Sequence, residues 1–533
     1  MFVSCENLSA FFEINTILWL TLLVTAATYF YIDVKNKQSF WKKKGVPYIE
    51  PAFLLGSVEL NRTKSFAESI QDAYNVYPDE RYHGIYQFTS PSLIIKDPDL
   101  IKQITVKHFD HFVNHREVTS ADADPFWSKN LFASRDERWR DLRSTLSPSF
   151  TSSKMKIMFN LIDECAQQFI QHFKEQQQEV VELEMKDTLS RYTNDVIATA
   201  AFGLQCNSLK DRENDFYLMG KDANDFSGLR IFKFLLYAIS PTLSKWLKIK
   251  IIPANVTDYF CQIIENSVHI RKERNIVRPD MIHLLLEAQK GRQNHEETSE
   301  INEGFSSVSD SELTKNRRKQ EITLDDINSQ AFVFFLAGFE TVSTFLTFTL
   351  YELALNPQIQ DRLRKEIQSV EGKMTYDKVL GLKYLDMVVC ESLRRWPPAV
   401  TTDRQVSKDF IIEPVKPGEK KLLLEKGAVC WLPVFAIHND AKFYPNPEKF
   451  DPERFSEENK NKINPSMYIP FGSGPRNCIG SRFALLEGKL LLSYILKNFE
   501  VVKTGKTKIP VVLDKTQINL ASEGGMWLGF KKL

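Results

Sequence analysis

Phe471-Gly472-Ser473-Gly474-Pro475-Arg476-Asn477-Cys478-Ile479-Gly480 is the stretch on which the reading of this 533-residue chain turns. A thiolate that binds a metal deep in a protein needs its negative charge stabilised, since an apolar site leaves the thiol protonated. Two glycines before Cys478 and one after it let the backbone turn tightly and bring N–H groups toward the sulfur. Arg476 adds a permanent cation two residues away. The run Phe483 to Leu491 reads as a helix whose N-terminus faces the cysteine and favours an anion. An isolated Gly-x-x-Cys would be read as a structural cysteine on a turn. The full string Phe-x-x-Gly-x-Arg-x-Cys-x-Gly is too long for that reading.

Working outward, Asp325 to Leu355 is a long, mostly apolar helix with Ala337-Gly338-Phe339-Glu340-Thr341 in its middle. A glycine inside a helix costs about 1 kcal/mol relative to alanine, and a carboxylate among apolar residues costs more unless it finds a partner. One explanation is a distorted helix whose Glu340 and Thr341 handle protons beside a bound ligand. The other is a kink with Thr341 bonded back to a carbonyl. A further helix over Leu382 to Trp396 carries Glu391-Ser392-Leu393-Arg394, opposite charges three apart on one face. In Trp139-Arg140-Asp141-Leu142-Arg143, an indole and a guanidinium four apart can address one anionic group.

Together these motifs resemble the cytochrome P-450 superfamily. The resemblance implies a mainly α fold with a small β region, with haem b (iron protoporphyrin IX) as cofactor and O2 as co-substrate. It makes Cys478 the axial thiolate of the iron and assigns Phe471 to the cofactor-binding string. Trp139, Arg143, Arg404 and Arg476 become propionate ligands, and Glu340 and Thr341 the acid–alcohol pair over the distal face. Glu391, Arg394 and Arg454 form a buried network supporting the haem loop. Segments such as Ser147-Pro148-Ser149-Phe150-Thr151 look most like insect microsomal, xenobiotic-metabolising members. The implied activity is insertion of one oxygen atom of O2 into a lipophilic substrate. A dedicated steroid or fatty-acid hydroxylase and a haem-thiolate isomerase are the alternatives; the isomerase tends to lack the acid–alcohol pair.

Composition agrees. Lys+Arg 69 against Asp+Glu 68 leaves +1, which gives no sign of nucleic-acid binding, and 43% hydrophobic residues with 38 Phe supply a large core. The seven cysteines are scattered without a Cys-x-x-Cys pair, so neither a disulfide framework nor a zinc ribbon is expected. No flavin or nicotinamide fingerprint is present, so electrons must come from outside; the resemblance implies NADPH through a flavin-containing reductase, with cytochrome b5 as a second donor. Arg135, Arg138, Arg140, Lys154 and Lys156 are expected to contribute to its docking face.

Thr16 to Ile32 is uncharged over 17 residues, preceded by Glu6 and Glu13 and followed by five lysines between Lys35 and Lys44. This predicts a retained anchor with the bulk of the chain on the cytosolic side of the endoplasmic reticulum membrane. The expected organisation is an anchor over 1–34, a basic linker and proline hinge over 35–51, and a catalytic domain over 52–533. Tyr82–Phe88 and Ser92–Ile95 read as strands. Residues 289–321 read as a polar loop, and 226–239 and 332–335 as apolar segments lining a pocket or meeting the membrane.

Overall fold

The computed structural model describes residues 5–57, 63–117, 119, 122–225, 230, 233, 236, 241–289 and 322–533, with backbone alone for 5–14 and 241–242. The polar loop, Gln289 apart, and most of 226–239 lie outside them. Helix α1 (Cys5–Gln38) is followed by α2 (Phe40–Lys44), α3 (Phe66–Asn75), α4 (Asp136–Leu146), α5 (Ser152–Lys174) and α6 (Met185–Ile197). Then come α7 (Asp215–Asn224), α8 (Ala254–Arg274), α9 (Leu324–Leu355), α10 (Lys383–Arg395) and α11 (Ser481–Asn498). The strands are few. β1 (Tyr82–Gln87), β2 (Ser90–Ile95), β7 (Val429–Leu432) and β4 (Thr402–Gln405) form one sheet in that order. β3 (Val180–Glu184), β9 (Trp527–Lys532) and β8 (Phe499–Lys503) form a second, and β5 (Phe410–Ile412) with β6 (Leu422–Leu424) a third. This is the mainly helical fold with a small β region that the motifs imply.

Helix α9 is the axis of the core. Thr323 caps it, accepting from the Asp326 N–H while the Asp326 carboxylate accepts from the Thr323 N–H. Among the described residues, two helices are long and apolar enough to cross a membrane, and burial separates them. The apolar stretch of α9 is 67% buried, whereas that of α1, Asn15–Gln38, is 6% buried. The first is a core helix; the second could serve as an anchor.

The expected linker is packed against the body. Helix α1 runs on to Gln38, past the first lysines, and Val34 is buried. Trp41 is buried too, its Nε1 donating to the Ile85 carbonyl at 3.0 Å and its backbone N–H to Tyr86 Oη at 3.1 Å. Gly84 makes room for this indole: a Cβ there would lie 2.4 Å from the ring.

Two histidines are buried within this framework. Burial, with Lys96 adding to it, pulls His83 on β1 down to about 4, and burial beside Arg394 pulls His438 to about 3. Both are neutral in the native state and take up protons on unfolding. Their contribution is therefore complete above the unfolded value near 6.5 and is lost as pH falls toward the folded values. Between pH 7.5 and 5.0 each should cost about 2 kcal/mol of stability. Denaturant midpoints at the two pH values check this, and His83→Leu should remove about 2 kcal/mol of the difference.

Candidate active site

The cysteine loop is assembled from its own backbone. Cys478 N–H donates to the Phe471 carbonyl at 2.8 Å, Asn477 N–H to Gly474 O at 3.0 Å, and Gly472 N–H to Ile469 O at 3.0 Å. Gly472 and Gly474 take φ of 77° and 73°, and a Cβ on Gly474 would strike the Thr105 carbonyl at 1.7 Å. The two preceding glycines thus shape the turn and let it approach Thr105. The amide that favours the sulfur anion belongs to Gly480, the residue before α11. Cys478 keeps an open face although protein surrounds it. Burial pushes its thiol above the ordinary value, while the Gly480 amide and the Arg143 charge pull the other way.

The expected electrostatic role of Arg476 differs in the structure. Its guanidinium turns from the sulfur, stacks over the Trp139 ring at 4.5 Å, and donates through Nη2 to the carbonyls of Phe132 at 2.9 Å and Ser134 at 2.8 Å. Arg143 is the cation that acts on the thiol. It grips the loop from α4, donating to Asn477 O at 2.8 Å and Asn477 Oδ1 at 2.7 Å. Arg404, on β4, donates to Ser473 O at 2.9 Å and Asp403 O at 2.7 Å.

These arginines gather more positive charge than the chain neutralises. Arg135, Arg143 and Arg404 all press on Arg476, and the carboxylate that opposes them is Asp403. Asp403 is already engaged: His115 Nδ1 lies 2.9 Å from one oxygen, and the Arg116 N–H donates to the other at 2.6 Å. Burial pulls Arg404 down to about 10, and burial with the charge of Arg404 lowers Arg476 strongly. Arg404 Nε and Arg476 Nη1 are buried without a hydrogen-bond partner among the described residues. Buried guanidinium N–H groups left over in this way call for an anionic acceptor.

The support behind the loop is fully buried. Glu391 and Arg394 are both 0% exposed and joined by two hydrogen bonds of 2.8 and 2.9 Å. Arg454 Nε lies 3.4 Å from Glu391 Oε1, and the Asp451 N–H donates to the same oxygen at 2.9 Å. Arg394 Nη1 donates to the His438 carbonyl at 2.9 Å, and His438 Nε2 accepts from the Ile469 N–H at 3.0 Å. The network therefore reaches to within two residues of Phe471.

On α9 the line Phe334, Ala337, Gly338 and Thr341 is the less buried face, with Ala337 and Thr341 exposed. Thr341 Oγ1 donates back to the Ala337 carbonyl at 2.5 Å, and the helix runs unbroken through it. Gly338 is explained by packing, since a Cβ there would lie 2.5 Å from Ile197 Cδ1 on α6. Glu340 is not beside an unoccupied groove but paired, its Oε1 2.8 Å from Lys186 Nζ. The Phe332 to Phe335 run is mostly core: Phe332, Val333 and Phe335 are buried, and Phe335 packs on Phe202, Phe216 and Phe260. The expected basic face also shrinks. Arg140 is buried and paired with Asp110, Arg138 holds Asp326, and Lys156 holds Asp377.

A family model described as Cytochrome P450 matches residues 47–528. The chain belongs to the cytochrome P450 family. This P450 is similar to cytochrome P450 9e2 of Blattella germanica, with 45% identity covering 92% of this chain and 94% of that protein. It is 43% identical to probable cytochrome P450 9f2 of Drosophila melanogaster, over 95% of this chain and 98% of the relative. Cytochrome P450 6k1 of Blattella germanica is 36% identical, with 96% of each chain covered. The family is one of haem-iron monooxygenases that use O2. The P450's residues fit the cofactor: two leftover buried guanidinium groups match haem's two propionates, and an open-faced cysteine matches its iron.

Sequence reasoning missed Lys186, Asn477 and Asp403. Lys186 and Asp403 carry no local signal, because each is tied to its partner only by helix or strand packing. Asn477, lying inside the cysteine string, was within reach.

Proposed function

We propose that this P450 oxidises a broad range of lipophilic foreign compounds, such as plant toxins or insecticides, at the cytosolic face of the endoplasmic reticulum membrane. Electrons come from NADPH through a flavin-containing reductase, with cytochrome b5 as an auxiliary donor. The observation that carries the oxygenase chemistry is the surplus of buried arginine charge beside Cys478.

In this reading Cys478 ligates the iron as thiolate, and Phe471 keeps the loop closed by accepting its amide. Arg404 Nε and Arg476 Nη1 bind the propionates. Trp139 supports Arg476 from below, and Arg143 fixes the loop through Asn477. Haem iron, when bound, supplies reductive activation of O2, one atom entering the substrate and the other leaving as water. Thr341 Oγ1 and the Glu340 carboxylate hold and pass the protons that this requires. Breadth of substrate follows from an apolar pocket, because one methylene there is worth only about 1–3 kcal/mol of discrimination. The apolar α1, with lysines at its end, supports the anchor. The resemblance to insect xenobiotic-metabolising members supports the substrate class.

One experiment tests this. Carbonate-washed membranes carrying the full chain, with reductase and NADPH, should retain the protein and oxidise several unrelated lipophilic compounds. Thr341→Ala in the same membranes should divert most NADPH to peroxide. Loss of the protein to the wash, turnover of one endogenous steroid or fatty acid alone, or unchanged coupling in Thr341→Ala would each overturn the corresponding part.

A further inference from the structure

Asp403 and Arg404 are neighbours on β4, so their side chains point to opposite faces of the sheet. Arg404 donates to Ser473 O at 2.9 Å and back to the Asp403 backbone carbonyl at 2.7 Å. The Asp403 carboxylate faces the segment that leads to α4. One oxygen lies 2.9 Å from His115 Nδ1, and the other accepts from the Arg116 N–H at 2.6 Å. An ionised carboxylate can only accept, so His115 Nδ1 carries the proton of this bond.

This carboxylate keeps its charge. Burial pushes it up, but the bonds from His115 and Arg116 and the charge of Arg404 pull harder and hold it below the usual value. His115 brings no compensating charge at neutral pH. Burial, with the charges of Arg476 and Arg404 behind it, outweighs the Asp403 bond and lowers the imidazole to about 4. The Asp403 side chain is 21% exposed, so salt screens it only in part. Backbone bonds also lace the same segment to β4: Gln405 N–H donates to Asn114 O at 2.7 Å, and Ser407 N–H to His111 O at 2.7 Å. The attachment therefore does not depend on the carboxylate alone, and its charge can be removed without undoing the packing.

We propose that Asp403 sets the reduction potential of the bound haem: its negative charge offsets part of the arginine charge at the propionates and so opposes the electron entering the iron. The proposal rests on the reading that Arg404 and Arg476 hold the propionates of a haem ligated by Cys478. Asp403 acts through those arginines and is a positioning residue, not a catalytic one. In the step concerned one electron leaves the reductase flavin, which is oxidised, and reduces the iron. No bond to Asp403 forms or breaks, and no proton moves there. A unit charge in a partly buried site acts across a greater distance than the same charge in water. Taking away the anion should favour the reduced state, and taking away a cation of the cluster should disfavour it.

Potentiometric titration of the purified full chain, without reductase, tests this. Asp403→Asn should favour reduction about tenfold, a rise of about 59 mV for a one-electron couple. Asp403→Glu, which keeps the charge, should stay near the wild type. Arg135 belongs to the same cluster, and its guanidinium donates to the neutral His115 O and Gln405 Oε1. Arg135→Gln should therefore shift the potential the opposite way. All three variants should keep the red-shifted band of the reduced protein with carbon monoxide. A potential that fails to rise in Asp403→Asn or to fall in Arg135→Gln would overturn the proposal. So would equal shifts in the Asn and Glu variants, which would mark Asp403 as a fastening for the loop and no more. If Asp403→Asn loses its haem, Arg135→Gln decides alone. Absence of the carbon monoxide band from the wild type would sink the reading of the cofactor site, whereas its presence with unmoved potentials would sink only the role of Asp403.

Discussion

Cys478→Ala should abolish both turnover and the red-shifted absorption band of the reduced protein with carbon monoxide. The wild type should show that band on the proposal that the Cys478 sulfur is the anionic ligand the loop is built around. The physical case begins with the resting thiol, which burial holds above its ordinary value. Metal binding must therefore displace a proton, helped by the Gly480 amide and the Arg143 charge. Alanine removes the ligand and leaves the cradle: Gly472 and Gly474 keep the turn, and Arg404 and Arg476 keep their free N–H groups. The variant should thus fold and retain some haem with a spectrum lacking the thiolate signature. Persistence of the wild-type band in Cys478→Ala, or a histidine-type spectrum in the wild type, would place the ligand elsewhere.

Glu391→Ala should be the most damaging single change to the fold. It strips Arg394, which is 0% exposed, of its two carboxylate hydrogen bonds. Removing one partner of a buried pair costs about 3–5 kcal/mol, because the remaining charge is uncompensated. Arg454 loses its ion pair and the Asp451 N–H its acceptor, so the segment that leads to the cysteine loop loosens with it. We expect a lower denaturant midpoint and rapid loss of haem on dilution. Replacing Glu391 and Arg394 together with methionine should recover a substantial part of the stability, since two apolar residues leave no orphan charge. If Glu391→Ala keeps the wild-type midpoint and haem retention, the network does not support the loop.

Much of the site was legible in the sequence because its signals are local. The turn around Cys478, the Glu391–Arg394 pair and the Trp139–Arg143 spacing each follow from a helix or turn period over a few residues. The N-terminal apolar helix α1 and the core helix α9 follow from runs of apolar residues, and burial separates the two. The roles of single residues inside those motifs were less legible. Arg476 belongs with Trp139 and the carbonyls of Phe132 and Ser134, and Gly338 answers to Ile197.

By itself the sequence determined the family and the helical fold, with the ligand cysteine and the acid–alcohol pair on α9 as candidates. Only the tertiary structure decided which charges are matched. It joined Lys186 to Glu340 across 154 residues, and it left Arg404 and Arg476 with buried N–H groups that no described residue satisfies. The physical reason is that pairing across the core depends on how α6 packs on α9 and where β4 meets the cysteine loop. Distances of that kind are set by side-chain volume and burial over the whole chain, and no local period records them.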